Sequence, residues 1–466
     1  MMKKLSFLCL FISFISFSQN KSINILSLEE SLGYIKKHHP ILKQAKLINN
    51  KNEAKLMKAR GAFDPKIDID YDRKEFKDTD YYKKLTSTFK IPTWYGIELK
   101  ASYENNSGQF LNPQFKTPKN GLYNVGVAIP LAKNLFINKR MATLKQAKLY
   151  TKQGKLEQKL LINTILFNAI ESYLNWTQYY QQYVIYKDYH TNAQVRLKNV
   201  ITSFNAGDKA AVDTLEASIN LKSRKLDLEK ANIKYIKSKL EFSNYLWIDA
   251  NIPMELKDQM IPDTTTFSKM DVLLKSTANA IVQNNLNDHP KVKLLELKRR
   301  NLEINKQLKV NNLLPKIDFQ YNLLSSKVNN FDSFNVSNYK NSLQISVPLF
   351  LRKSRGELKL AKLKLQDLNF EISTTKITLQ NKINATRQQI VSYEKQKSIL
   401  ENLVSGYQKI VKSEERKFSL GESSLFLINY REVKLIESNL KEVKNNYEYA
   451  KSKSTLIQLL GQLNTL

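Results

Sequence analysis

The sequence predicts a mainly α-helical chain with β segments. It is built as two tandem units in which a β hairpin stands between long helices that fold back as antiparallel pairs. Three observations carry this reading: a set of landmarks written twice, two long tracts nearly free of proline and glycine, and short segments whose apolar residues alternate with period two.

The duplication comes first, because it fixes how the rest is parsed. "AFDPKIDIDY" (Ala62 to Tyr71) and "LLPKIDFQY" (Leu313 to Tyr321) share a Pro-Lys-Ile-Asp core whose starts lie 250 positions apart. Twenty-five residues before each of these prolines stands another, in "HHP" (His38 to Pro40) and in "DHP" (Asp288 to Pro290). Further on, "VGVAIPL" (Val125 to Leu131) answers "LQISVPL" (Leu343 to Leu349), and "LKQAKL" (Leu144 to Leu149) answers "LKLAKL" (Leu358 to Leu363). Phe204-Asn-Ala-Gly207 and Phe418-Ser-Leu-Gly421 keep the 214-residue offset of that last pair. The expected organisation is a leader at 1–18 and a first unit at 19–262, with strands at about 64–131 and a helix-turn-helix tip at about 204–213. A second unit follows at 263–466, with strands at about 314–349 and a tip at about 418–427.

The helices follow from punctuation. No proline occurs between Pro130 and Pro253 or after Pro348, and the glycines there reduce to Gly154 and Gly207 in one tract and Gly356, Gly406, Gly421 and Gly461 in the other. Proline breaks helices, so each tract reads as one very long helix, a turn, and a returning helix. The stretch 138–203 would reach on the order of 100 Å at 1.5 Å per residue, more than a compact domain buries. Ile219, Leu226, Ile233, Leu240 and Trp247 fall seven apart, as do Leu221, Leu228, Tyr235 and Phe242. The two series lie roughly 200° apart around the helix, which therefore expects a neighbour on opposite sides, as in a closed ring of helices. A loosely patterned three-helix bundle is the alternative. In the second unit one seam is clear: Ile436, Leu440, Val443, Tyr447, Ala450 and Ile457.

The strands sit between those helices. "KIDIDYD" alternates Ile67, Ile69 and Tyr71 with Asp68, Asp70 and Asp72, and "KIDFQYN" alternates Ile317, Phe319 and Tyr321 with Asp318, Gln320 and Asn322. Val125, Val127 and Ile129 match Leu343, Ile345 and Val347. Alternation of this kind gives one apolar and one polar face. The polar stretches 105–121 and 325–342 suit the connections, and Gly96 to Tyr103 alternates too, leaving open whether 82–105 adds strands.

Compartment follows from the opening "MMKKLSFLCLFISFISFSQN", where two lysines precede 13 apolar-core residues (Leu5 to Phe17) and a small-x-small site ends at Ser18. This reads as a secretory leader, too short to span a bilayer. The only cysteine, Cys9, lies inside it. No later segment offers 18 uninterrupted apolar residues, so a helical bundle across a membrane is excluded. Strands remain available: an apolar face toward lipid and a polar face toward water is an outer-membrane barrel pattern. Strands in lipid must close, and two hairpins are too few, so closure calls for several chains. A soluble sandwich is the alternative for the strands alone. The net charge of +31 would suggest nucleic acid in a cytoplasmic protein, but the lysines are spread along every helical stretch, and an exported chain meets no nucleic acid. Attraction to anionic lipid or substrate is the minor reading.

Catalysis finds no support. His38, His39 and His289 precede or flank a proline, His190 sits mid-helix, and none has a metal-type partner at helical spacing. No nucleophile elbow, phosphate loop or dinucleotide fingerprint occurs, so no enzyme activity, metal or other cofactor is expected.

In its opening "LSLEESLGYIKKHHP" (Leu26 to Pro40), its two Pro-Lys-Ile-Asp strand entries, its "IPL" and "VPLF" strand exits, its Phe-x-x-Gly turns and its closing "QLLGQL", the chain resembles the TolC family of outer-membrane efflux proteins. The resemblance spans nearly all of the mature chain. It implies a homotrimer whose helical hairpins form an α-barrel tunnel in the periplasm, continuous with an outer-membrane β-barrel of at least four strands per chain, about twelve per trimer. It implies a passive exit duct of a tripartite efflux or type I secretion system. Its partners would be a periplasmic adaptor (membrane fusion protein), an inner-membrane transporter and outer-membrane lipid. By the same likeness Phe204, Gly207, Phe418, Gly421 and Ser424 mark the periplasmic tips where an adaptor docks. At the pore constriction, positions that often carry acids hold Leu427 and Tyr430, while Asp213 and Glu216 stand at the equivalent spacing in the first unit. Asp68, Asp70 and Asp318, with Asp72, are candidates for the barrel lumen. A periplasmic adaptor or a coiled-coil scaffold is the competing class; the first would carry one helical hairpin rather than two, the second no lipid-facing alternation.

Overall fold

The computed structural model describes residues 24–270, 286–327 and 333–463. The expected leader, with Cys9, lies outside the described residues, as does 328–332 of the second polar connection. In chain order the elements are β1 (Asn24–Leu26), α1 (Leu28–His38), α2 (Pro40–Arg60), β2 (Lys66–Phe76), β3 (Thr79–Pro92), β4 (Glu98–Ser107) and β5 (Leu122–Pro130). Then come α3 (Lys139–Asn205), α4 (Ala211–Ser243), β6 (Trp247–Ile248), β7 (Ile252–Pro253) and β8 (Met260–Pro262). The last are α5 (Pro290–Asn311), β9 (Lys316–Ser325), β10 (Tyr339–Ser346), α6 (Arg352–Ser419) and α7 (Leu425–Leu459). Helices α3 and α6 run 67 and 68 residues without a break, as the missing prolines require.

Two compact units share these elements, and each draws segments from both sequence repeats. One comprises Pro40–Asn168, Val272–Ser392 and Ser452–Leu466; the other comprises Met1–His39, Ala169–Asp271 and Tyr393–Lys451.

The first of these units holds a six-stranded sheet in the order β10-β9-β5-β4-β3-β2, antiparallel throughout. The expectation of at least four strands per chain is met, the sheet holding six. The additional hairpin is β3–β4, on residues whose contribution the sequence left open. The turn from β2 to β3 is the two residues Lys77 and Asp78, both at positive φ (51° and 56°). That is the primed geometry whose twist matches paired strands, and no glycine advertises it. Gly126 in β5 is required by crowding, because a Cβ there would come within 2.2 Å of the Tyr321 carbonyl. The helices of this unit pack through Leu295, Leu368 and Ile372, and through Leu379, Ile383, Leu456 and Leu460. His289 caps α5: its Nδ1 accepts from the Lys291 N–H at 3.2 Å, which leaves Nε2 to donate to the Leu459 carbonyl at 2.9 Å. Burial of the ring lowers its pKa from the ordinary histidine value.

The second unit has an aromatic core. Tyr173, Trp176 and Phe242 are fully buried, with ring centroids 5.3 to 5.7 Å apart. The Tyr173 hydroxyl donates to the Leu26 carbonyl at 2.7 Å and accepts from the Asp263 N–H at 3.0 Å, beside the parallel pair β1–β8. Burial pushes its pKa up to about 12. The two heptad stripes of α4 separate here. Phe242 and Tyr235 pack inward, the latter stacked on Tyr183 at 5.4 Å, whereas Ile219, Leu226, Ile233 and Leu240 are each more than half exposed.

Candidate conduit surfaces and turn tips

The sheet's register sorts its side chains onto two faces. Ile67, Phe89, Ala101, Val125 and Leu323 lie level with one another across five strands, and Ile129, Phe319 and Leu343 across three on the same face. On the opposite face, Asp68, Thr88, Ser102, Asn124 and Leu324 form one row, and Ala128, Gln320 and Ser342 part of another. This second face is mainly polar, interrupted by Leu324 and by Leu122, Gly126, Ala128 and Pro130 of β5. Neither pattern stops at the additional hairpin. Phe89, Ile91 and Leu99 continue the apolar band, and Thr86, Thr88, Lys90, Lys100 and Ser102 the polar one.

The aspartates proposed for a lumen wall lie on that polar face, but they do not stand as an acidic surface. Lys90 of β3 bonds Asp68 at 2.8 Å, Lys84 reaches Asp72 at 3.6 Å, and Lys316 pairs with Asp318 at 3.1 Å. Two of these lysines belong to a strand that sequence reasoning had left undecided. At the end of the sheet nearest α3, Glu98 pairs with Arg140 at 2.9 Å, beside a cavity of about 480 Å³ that Lys100, Asn138, Asp318 and Gln320 also line.

The two tips repeat each other atom for atom. Gly207 (φ 87°) donates to the Phe204 carbonyl at 2.9 Å, and Asp208 to Ser203 at 2.9 Å; Gly421 (φ 79°) donates to Phe418 at 3.1 Å, and Glu422 to Lys417 at 2.9 Å. This is the paired bonding of a helix ended by a left-handed residue, where glycine is the residue without strain. A Cβ at either glycine would meet nothing within 4 Å, so the need is conformational and the outer surface is open. Phe418 packs on the cluster of Val200, Ala217 and Leu425, under the Lys209 ammonium at 4.3 Å, whereas Phe204 is 42% exposed. The Ser424 hydroxyl accepts from the Leu427 N–H at 3.4 Å, at the start of α7.

Of the four constriction candidates, the two carboxylates are held by hydrogen bonds. Asp213 turns back on its own helix start, accepting from the Ala210 N–H at 3.3 Å. Glu216 accepts from the Asn429 amide at 3.1 Å, and Leu427 and Tyr430 are exposed. Sequence reasoning missed the charge cluster behind them. Glu432, 2% exposed, takes Arg196 on one carboxylate oxygen at 3.1 Å and Arg224 on the other at 3.3 Å, while Arg196 also reaches Glu415 at 3.2 Å. It ties α3, α4, α6 and α7 together just behind both tips. Nearby, the Tyr189 hydroxyl is pushed to about 12, by burial first and then by the Glu432 charge. Spacing offers no signal for such a triad, because its members are 28 and 208 residues apart and interrupt the apolar stripes. Among the described residues no cluster of metal-type side chains occurs and no helix is long and apolar enough to cross a membrane.

A six-stranded sheet with one apolar face, fed by unbroken helices that turn at matched glycine tips, defines the class as the outer-membrane channel fold. Solved channels of that fold superimpose over 93% of this chain: CmeC of Campylobacter jejuni (TM-score 0.66, 14% identity, 85% of that chain), VceC of Vibrio cholerae (0.64, 10%, 96%) and the open state of MtrE of Neisseria gonorrhoeae (0.60, 13%, 88%). Residues 281–462, which make up most of the second repeat, match the outer membrane efflux protein family, and through them the resemblance to TolC-type proteins is borne out. Comparison with curated proteins finds no match.

Proposed function

We propose that this chain is the outer-membrane exit duct of an efflux or secretion system. Three copies enclose a water-filled passage through which cargo leaves, received from a periplasmic adaptor and an inner-membrane transporter. The single observation that carries the reading is the sheet: its six strands gather apolar residues on one face and mainly polar residues on the other, and among the described residues the apolar face is largely exposed. In water such a band costs roughly 25 cal/mol per Å², and in a bilayer it costs nothing. The tips at Gly207 and Gly421, open on their outer side, are the surfaces offered to the adaptor, and the Glu432 cluster holds the helices behind them in one arrangement. Passage itself calls for no catalytic group.

The experiment is reconstitution of the purified full chain in a planar bilayer. Stepwise ohmic conductance is the expected result. A protein that binds the membrane without conductance steps would refute the duct.

A further inference from the structure

The register of the sheet sets four lysines in one row on its polar face. Lys66 of β2 stands opposite Lys90 of β3, and Lys90 opposite Lys100 of β4; the row runs on through Gly126 and Asn322 to Lys340 of β10 without an acid. Directly opposed side chains have Cβ atoms about 4.5–5.5 Å apart, and like charges so placed are destabilising. A slip of register cannot relieve the crowding, because moving a strand by one residue would turn its apolar band onto the polar face.

The neighbouring carboxylates do not neutralise the row. Asp68 is taken by Lys90 at 2.8 Å, Glu98 by Arg140 at 2.9 Å and Asp318 by Lys316 at 3.1 Å. Asp70 and Glu104 stand two rows farther along β2 and β4. That is about 13 Å at roughly 3.4 Å per residue. Lys66, Lys100 and Lys340 form no ion pair among the described residues. Beside Lys100 the row opens into the cavity of about 480 Å³ at the first turn of α3, which Lys139, Arg140 and Gln320 also line. Lys139 too forms no ion pair among the described residues. The two carboxylates that line this cavity, Glu98 and Asp318, are those already held, so the charge left over there is positive.

We infer that Lys66, Lys90, Lys100 and Lys139 form an anion-binding station in the passage wall, taking solutes that carry two or more carboxylate or phosphate groups. The inference rests on the exit-duct reading above and adds what the wall attracts. Each ammonium is a point charge on a flexible stem, so the station discriminates by charge and not by shape. An anion lying along the row is shared by several lysines and offsets their mutual repulsion, whereas a cation meets only the repulsion. Basic side chains arrayed around a bore are how pores favour anions. Because the row faces water, salt screens the attraction, and a bound anion is held briefly and released.

The test is block of the current through the purified full chain in a planar bilayer by citrate, a multivalent carboxylate. The expected result is a block that weakens as potassium chloride is raised. The Lys66→Gln/Lys100→Gln double variant is expected to need roughly tenfold more citrate for the same block, while Lys66→Arg/Lys100→Arg keeps the wild-type response. Should the glutamine double variant give no conductance steps, Lys139→Gln, exposed in the first turn of α3 and outside the sheet, takes its place and is expected to need roughly threefold more. An unchanged block in a glutamine variant that still conducts overturns the station, as does a conducting wild-type protein that citrate leaves unaffected. A wild-type protein without conductance steps overturns the exit duct itself, and the station with it.

Discussion

Glu432 shows how much one residue can hold where nothing in the sequence draws attention to it. Its carboxylate is 2% exposed and balanced by Arg196 and Arg224. A buried pair of this sort adds little net stability over apolar packing, but removing one partner leaves charge without compensation. Glu432→Ala is therefore expected to weaken the region around 189–232 and 411–439 by about 3–5 kcal/mol, and Glu432→Gln by less, since it keeps an acceptor for one arginine. Hydrogen exchange of the backbone amides in those segments measures it: faster opening confined to the tip side supports the account, and unchanged exchange contradicts it. The glycines were legible for a different reason. Gly207 and Gly421 stand at one offset in a duplicated phrase, and the structure gives both the same left-handed conformation. The carboxylates were legible as residues but not as an electrostatic surface. The lysines that answer Asp68 and Asp72 come from β3, whose place beside β2 depends on a turn without glycine.

At the scale of elements, length and periodicity told most. The unbroken helices α3 and α6 follow from missing prolines, and the β2 and β9 strands from alternation, because backbone chemistry fixes both locally. The β3–β4 hairpin was not fixed in advance: its outward row reads Leu85, Ser87, Phe89 and Ile91, an interrupted pattern that becomes clear only beside Ala101 and Leu99 of β4. Of the two neighbours the sequence expects for helix α4, the structure shows one. One stripe packs on Tyr180 and Tyr183, and the other, Ile219, Leu226, Ile233 and Leu240, is more than half exposed at every position among the described residues. On the several-copy reading that stripe is a contact between copies. The double substitution Leu226→Asp and Ile233→Asp should leave the helical content unchanged by circular dichroism while cutting oligomer recovery at least tenfold. Loss of helix together with oligomer would assign the stripe to folding instead.

On the scale of the whole molecule, one physical requirement recurs in separate places: the sheet has two open edges and an uncovered apolar face, and α4 has an uncovered seam. On the proposed function a bilayer covers the face and further chains cover the edges and the seam, since strands in lipid cannot leave backbone groups unpaired. The sequence led to the expectation that closure needs several chains, and the six strands of the sheet emerged only once β3 and β4 were placed. On the proposed function, cargo identity belongs to a transporter and adaptor, because the polar face of the sheet carries paired charges and amides rather than a site shaped for one ligand. The most direct measurement is the mass of the mature protein extracted from outer membranes in mild detergent, by light scattering corrected for bound detergent. Three chains per particle, dissociating only on heating, is the predicted result; a stable single chain, soluble after the detergent is removed, would contradict the account.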